Sequence, residues 1–203
     1  NYIILSRCHH CSVQPSARRY IVLIISIISF PVVYFFPPDY TGWIIALIVF
    51  SYLGLVFIID FEHRLILHPV SVIGGILFLA IGIDLNGWKV TLFGVLSGFG
   101  FMYILYLFGI LFGKVMAKRR GQEIEEIALG FGDVTLSTIL GLLLGWPRIG
   151  LVLFFAIILG GVFSGLFLLI SVLAKKYRAF TAIPYAPFII ISSIILIYFS
   201  TGK

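Results

Sequence analysis

"LGFGDVTL", residues 129–136, sets Asp133 behind Gly130, Phe131 and Gly132 at the head of an apolar run that continues to Trp146. A carboxylate is an expensive opening for such a run if the run lies in lipid, and an ordinary one if it lies in water. The surrounding medium therefore decides the fold, and composition decides the medium. The 203 residues are 61% hydrophobic and 11% charged, with a mean hydropathy of +1.17. That is more apolar surface than one soluble core can bury, so the fold class is all-α, a polytopic membrane helix bundle. We expect a short cytosolic segment over 1–19 and one membrane-embedded domain over 20–203.

Crossing ~30 Å of hydrocarbon takes roughly 20 apolar residues. Seven candidate spans meet or approach this, at 20–36, 42–59, 69–83, 90–113, 127–146, 149–174 and 182–200. The clearest are 90–113 and 149–174. The weakest is 69–83, which is short and opens on Pro69, and it is the one suspected of being re-entrant. Glycine pairs at Gly94–Gly98, Gly109–Gly113, Gly141–Gly145 and Gly161–Gly165 are expected to let helices approach closely.

The formal net charge of +6 does not indicate nucleic-acid binding, because the basic residues stand in short clusters between apolar runs. If every span crosses once, one side holds Arg7, Arg18, Arg19, Arg64, Lys114, Lys118, Arg119, Arg120, Lys175, Lys176 and Arg178. The other holds Lys89, Arg148 and Lys203. The positive-inside rule then places the N-terminus and the larger basic loops in the cytosol. The chain opens on Asn1 without the pattern of a removable signal peptide, which points to processing or to a fragment of a longer protein.

This topology brings two acids to the same side. Asp60 ends the second span in "FIIDFEHRLIL" (57–67), and Asp133 begins the fifth. An acid within a membrane costs about 2.5–3.5 kcal/mol on insertion scales, so each needs a partner or a task. Facing each other, the two cannot both ionise cheaply, and one keeps a proton. One acid and one base across a water is the arrangement that hydrolyses a peptide bond. The bland alternative is structural: Arg64, four residues on, neutralises Asp60, and Asp133 caps the fifth helix. Gly130 and Gly132 favour the first reading. Glycine reaches backbone conformations closed to other residues, and it leaves space beside Asp133 for another backbone.

Four segments carry a family resemblance. "GFGDVTLSTILGLLLGW" (130–146) resembles the G-x-G-D segment of type IV prepilin peptidases, the A24-type aspartic membrane proteases. "FIIDFEHRLIL" is similar to their other aspartate segment. "RCHHCSVQPSARRY" (7–20) resembles their second cytosolic Cys-x-x-Cys stretch, and "IPYAPF" (183–188) their Ile-Pro-Phe-Gly-Pro-Phe turn. The segments come in the family's order and cover nearly the whole chain. The resemblance implies a catalytic dyad of Asp60 and Asp133, supported by the Gly130 and Gly132 loop. It also implies prepilin or pseudopilin precursors as substrates and a bacterial inner-membrane location, with cleavage of a basic leader at the cytosolic face. On that reading Glu62, Glu123, Glu125 and Glu126 attract the leader; the alternative is a solvated loop balancing Lys118, Arg119 and Arg120.

The chain also departs from the pattern. Thr135 stands where the family usually has Lys, and Pro69 is displaced from the usual position of the proline that follows the first aspartate segment. "RYIVLII" replaces a Tyr-Pro-Leu-Val-Glu-like run, and the family's span and Cys-x-x-Cys pair that precede this stretch are not in the sequence. We therefore expect peptidase chemistry without S-adenosylmethionine-dependent N-methylation. Cys8 and Cys11 make at most half of a zinc site, since a tetrahedral structural site needs four ligands. Two other classes stay open: a proton-coupled transporter using the acids as a relay, and a non-catalytic membrane partner in pilus assembly.

Overall fold

A computed structural model describes residues 30–63, 67–120, 130–173 and 185–200. Among these the chain is helical, with no strand. We label the helices α1 (Gly42–His63), α2 (His68–Asn86), α3 (Trp88–Arg120), α4 (Phe131–Leu144), α5 (Arg148–Leu173) and α6 (Ala186–Phe199). Residues 30–35 are also helical, while most of the expected 20–36 span lies outside the described residues. Helices are what an apolar chain must form in lipid, where every backbone N–H and C=O has to be satisfied internally.

The span lengths differ from expectation in three segments. Segment 69–83 belongs to the 19-residue α2, longer than expected and apolar enough to cross a membrane, as are α1, α3 and α5, although it remains the least apolar of the four. Pro69 does not shorten it, because a proline in a helix's first turn gives up an N–H that has no partner there anyway. The segments expected at 127–146 and 182–200 instead hold α4 and α6, of 14 residues each. At 1.5 Å per residue these rise about 21 Å, short of a full hydrocarbon thickness.

α4 is the inner helix. Nine of its residues are buried, and it packs against α2, α3, α5 and α6. α3 and α5 lie outside and present Phe93, Ile104, Phe108, Leu169, Ile170 and Leu173 outward. Apolar surface on that scale suits a lipid environment.

Backbone contact brings α3 onto α4. A Cβ on Gly94 would collide with the Gly141 carbonyl oxygen, and one on Gly141 with the Gly94 carbonyl. A Cβ on Gly98 would lie 2.6 Å from the Ser137 carbonyl oxygen. Gly82 of α2 is pressed in the same way against the Leu142 carbonyl. The Gly94–Gly98 and Gly141–Gly145 pairs thus pack helices as expected, whereas among the described residues nothing stands within 4 Å of where a Cβ on Gly113, Gly161 or Gly165 would be. Gly145 also ends α4: at φ +67° it adopts a left-handed conformation, and its N–H donates to the Gly141 carbonyl at 3.0 Å.

A polar cluster ties the helix ends farthest from Asp60 and Asp133. The Tyr40 hydroxyl lies 2.9 Å from Asn86 Oδ1 and 3.2 Å from the Leu143 carbonyl, which also accepts from Asn86 Nδ2 at 2.9 Å. Arg148 donates through Nη1 to Asn86 Oδ1 at 2.9 Å and through Nε to Ser200 Oγ at 3.0 Å. Its guanidinium sits 4.2 Å from the Tyr40 ring centroid. The cluster gathers the start of α1, the end of α2, the end of α4, the start of α5 and the end of α6. Trp146 N–H, donating to the Val90 carbonyl at 3.1 Å, puts the start of α3 at the same end. Successive helices therefore alternate in direction, and α2 runs from one end of the bundle to the other, as a crossing helix would.

Candidate active site

At the opposite end, Asp60 projects from the last turns of α1 and Asp133 from the first turn of α4. Each carboxylate-bearing residue is only 7% exposed. The Asp133 carboxyl lies within Coulombic reach of Asp60, so the alternating topology brings two buried acids from separate helices to the same end of the bundle, although α1 and α4 do not pack directly on each other.

The local fold explains how Asp133 is held. Gly130 is the N-cap of α4, and the Asp133 N–H donates to the Gly130 carbonyl at 3.1 Å. The Asp133 carboxylate in turn accepts a hydrogen bond from the Gly130 backbone N–H. This is the reach from N3 back to N-cap of a capping box, so the capping role weighed as the alternative to catalysis is present in the geometry. A second backbone N–H, that of Ala186, also donates to the same carboxylate. It belongs to the first turn of α6, whose N-terminal end therefore faces the acid. Capping α4 accounts for one of these bonds and leaves the other unexplained.

Gly130 departs from expectation in one respect. Its φ of −76° and ψ of 149° are open to any residue, and Gly132 is helical, so neither glycine is needed for backbone freedom. Space is the remaining argument: a Cβ on Gly130 would stand 3.8 Å from Asp133 Oδ2, in ordinary contact. Thr135, at the family's lysine position, donates its hydroxyl to the Phe131 carbonyl at 3.2 Å. With Val134 it lines a shallow cleft of about 270 Å³ that also includes His68, Ser71 and Phe99. Neither Asp60 nor Asp133 lines this cleft, which lies on the flank of α4.

The Glu62 backbone falls in the last turn of α1, but its side chain is outside the described set. Glu123, Glu125, Glu126, Cys8, Cys11 and Arg64 also lie outside the described residues. Among the described residues, no group of three or more His, Cys, Asp or Glu is placed to hold a metal ion.

Two residues at the site were not legible as site residues in the sequence: Ala186, through its N–H, and its neighbour Tyr185, which lies within Coulombic reach of Asp133. The "IPYAPF" turn was the available signal. Nothing in its spacing from Asp133 tells that the two meet.

Fold and site together define a helical membrane protein with a buried aspartate pair drawn from two of its helices. Residues 47–165 match the family model described as "Type IV leader peptidase family", a stretch that includes both aspartates. The chain belongs to that family. It is 27% identical over 199 residues to a "Prepilin leader peptidase/N-methyltransferase" of Legionella pneumophila, covering 97% of this chain and 64% of the relative. Proteins of the same name from Aeromonas salmonicida are 27% identical over 194 residues, covering 92% of this chain and 60% of theirs. The chain thus spans a little over three fifths of the length of these curated relatives. No solved structure matches it.

Proposed function

We propose that the chain is an intramembrane aspartic endopeptidase that removes the basic leader of prepilin or pseudopilin precursors at the cytosolic face of the bacterial inner membrane. The observation that carries this reading is the buried pair Asp60 and Asp133, brought together from α1 and α4. In the reaction one carboxylate takes a proton from water as the water oxygen bonds to the scissile carbonyl carbon. The other carboxylic acid gives its proton to the carbonyl oxygen. Collapse of the tetrahedral intermediate breaks the C–N bond, and a proton passes to the leaving amine. The pair shares one proton and titrates as a unit. Backbone N–H groups from Gly130 and Ala186 orient Asp133 throughout.

The length of α4 supports a site below the membrane surface. A helix of about 21 Å anchored at the far face ends inside the hydrocarbon, so Asp133 is reached through a water-filled notch. The cytosolic assignment rests on the positive-inside count. The glutamates at 62, 123, 125 and 126 are the candidate contacts for a basic leader. The peptidase step itself calls for no metal or organic cofactor. Zinc would bind Cys8 and Cys11 only if further ligands complete the site, and S-adenosylmethionine is not an expected cofactor of this chain.

The test is incubation of the purified chain with a purified prepilin in detergent or liposomes, with the product weighed by mass spectrometry. Loss of the leader is expected. An intact precursor under conditions in which a known prepilin peptidase cleaves it would overturn the reading.

A further inference from the structure

We infer that the Tyr185 hydroxyl is a third polar group of the active site, donating a hydrogen bond to the scissile carbonyl oxygen as that oxygen gains negative charge. The inference rests on the peptidase reading and deepens it.

Tyr185 is the N-cap residue of α6, immediately before the Ala186 whose N–H holds Asp133. Its ring is wedged against α5, with Cε2 3.1 Å from where a Gly160 Cβ would stand, and its centroid lies 6.2 Å from that of Phe188. Phe188 in turn packs at 5.4 Å against Phe163. Gly160 is thus the residue that leaves room for the ring. The hydroxyl oxygen is buried and has no hydrogen-bond partner among the described residues. It also lies within Coulombic reach of Asp133.

A buried phenol O–H without a partner is destabilising, a cost removed when a partner arrives. Among the described residues the body of the ring is packed by apolar groups, and the one charged group acting on the hydroxyl is Asp133, so the acidic side is where a partner for it arrives. In hydrolysis the group that arrives beside the dyad and develops charge is the carbonyl oxygen of the substrate. Tyr185 transfers no proton in this role. It holds its own O–H and donates a hydrogen bond while one carboxylic acid protonates the same oxygen. The family turn that "IPYAPF" resembles carries Phe at this position, so the hydroxyl is a feature of this chain beyond that pattern.

The test is Tyr185→Phe, which keeps the ring and its packing and restores the family residue. Removing one such donor typically costs about 100–1,000-fold in kcat. With the aspartate pair and its backbone donors intact, we expect a smaller effect than that, a loss of roughly 10–100-fold in kcat on a purified prepilin with KM changed by less than about threefold. Phe188→Leu disturbs the same ring packing while sparing the hydroxyl, and its kcat should stay within about threefold of the unsubstituted chain. Equal losses in the two variants would assign the effect to packing and overturn the inference, as would full activity in Tyr185→Phe. Failure of the unsubstituted chain to cleave would instead overturn the peptidase reading, so the two failures are distinguishable.

Discussion

The carboxylate of Asp133 is held by the backbone N–H of Ala186, a residue on the other side of the long α5 helix in the chain. The bond joins the inner helix α4 to the start of the last helix. It explains why the segment resembling the family's proline-rich turn belongs to the site although it carries no acid or base. A backbone N–H serves here where a side chain would need its own anchoring, and it stays in place as long as α6 begins at Ala186.

If the buried pair is catalytic, neither acid can be replaced by its amide. Asp60→Asn and Asp133→Asn should each lower the rate of leader removal by at least about a hundredfold, the usual contribution of a positioned general acid or base. The unfolding transition should persist in both variants, because an amide fills the same volume. Product mass reads the first effect and thermal unfolding in detergent the second. Processing by Asp133→Ala at the ordinary rate would end the aspartic reading, and proton flux in liposomes without cleavage would point to a carrier.

The glycine crossing makes a contrasting pair of substitutions. Gly141→Ala pushes a methyl group into the Gly94 backbone, which has no side chain to move aside. Overpacking of this kind costs about 1–3 kcal/mol. Gly161→Ala meets nothing within 4 Å among the described residues and should change stability by less than about 0.5 kcal/mol. Unfolding free energies in detergent that failed to separate the two variants would refute the close contact between α3 and α4.

Tyr40, in the turn before α1, provides a pH test at the far end. Burial holds its phenol above the ordinary value of 10.0, outweighing the opposing influence of Asn86 and the positive charge of Arg148. Folding therefore favours the protonated phenol. The stability so gained is complete below pH about 10 and is lost as the pH climbs through the raised folded-state value. Between pH 9 and 11 the unfolding temperature of the unsubstituted chain should drop more steeply than that of Tyr40→Phe. Parallel curves would show that this phenol titrates alike in the folded and unfolded states.

Methyl transfer is the other activity in the names of the relatives, and here the expectation is negative. The run "RYIVLII" lacks the glutamate of the family's corresponding stretch. With labelled S-adenosylmethionine present, the cleaved pilin should carry no added methyl group while the leader is lost. Stoichiometric methylation in the mass spectrum would show that this glutamate is dispensable.

Composition alone determined that the chain is a helical membrane bundle, because a chain that is 61% hydrophobic has no soluble way to bury its surface. The cost of an acid in lipid was enough to single out Asp60 and Asp133, and basic-residue asymmetry put them on one side. What the sequence could not rank was which helix lies inside. The long uncharged segments 90–113 and 149–174 looked like the strongest spans, yet as α3 and α5 they face outward while the shorter α4 occupies the interior. Position in the bundle is set by close packing at Gly94, Gly98 and Gly141 rather than by hydropathy, which does not say which apolar face meets lipid and which meets another helix. Tertiary structure also decided the partners of Asp133. The N–H of Ala186 reaches it, and the phenol of Tyr185 comes near it without bonding to it, only because α5 and α6 fold back across the bundle, a long-range closure that no spacing rule encodes.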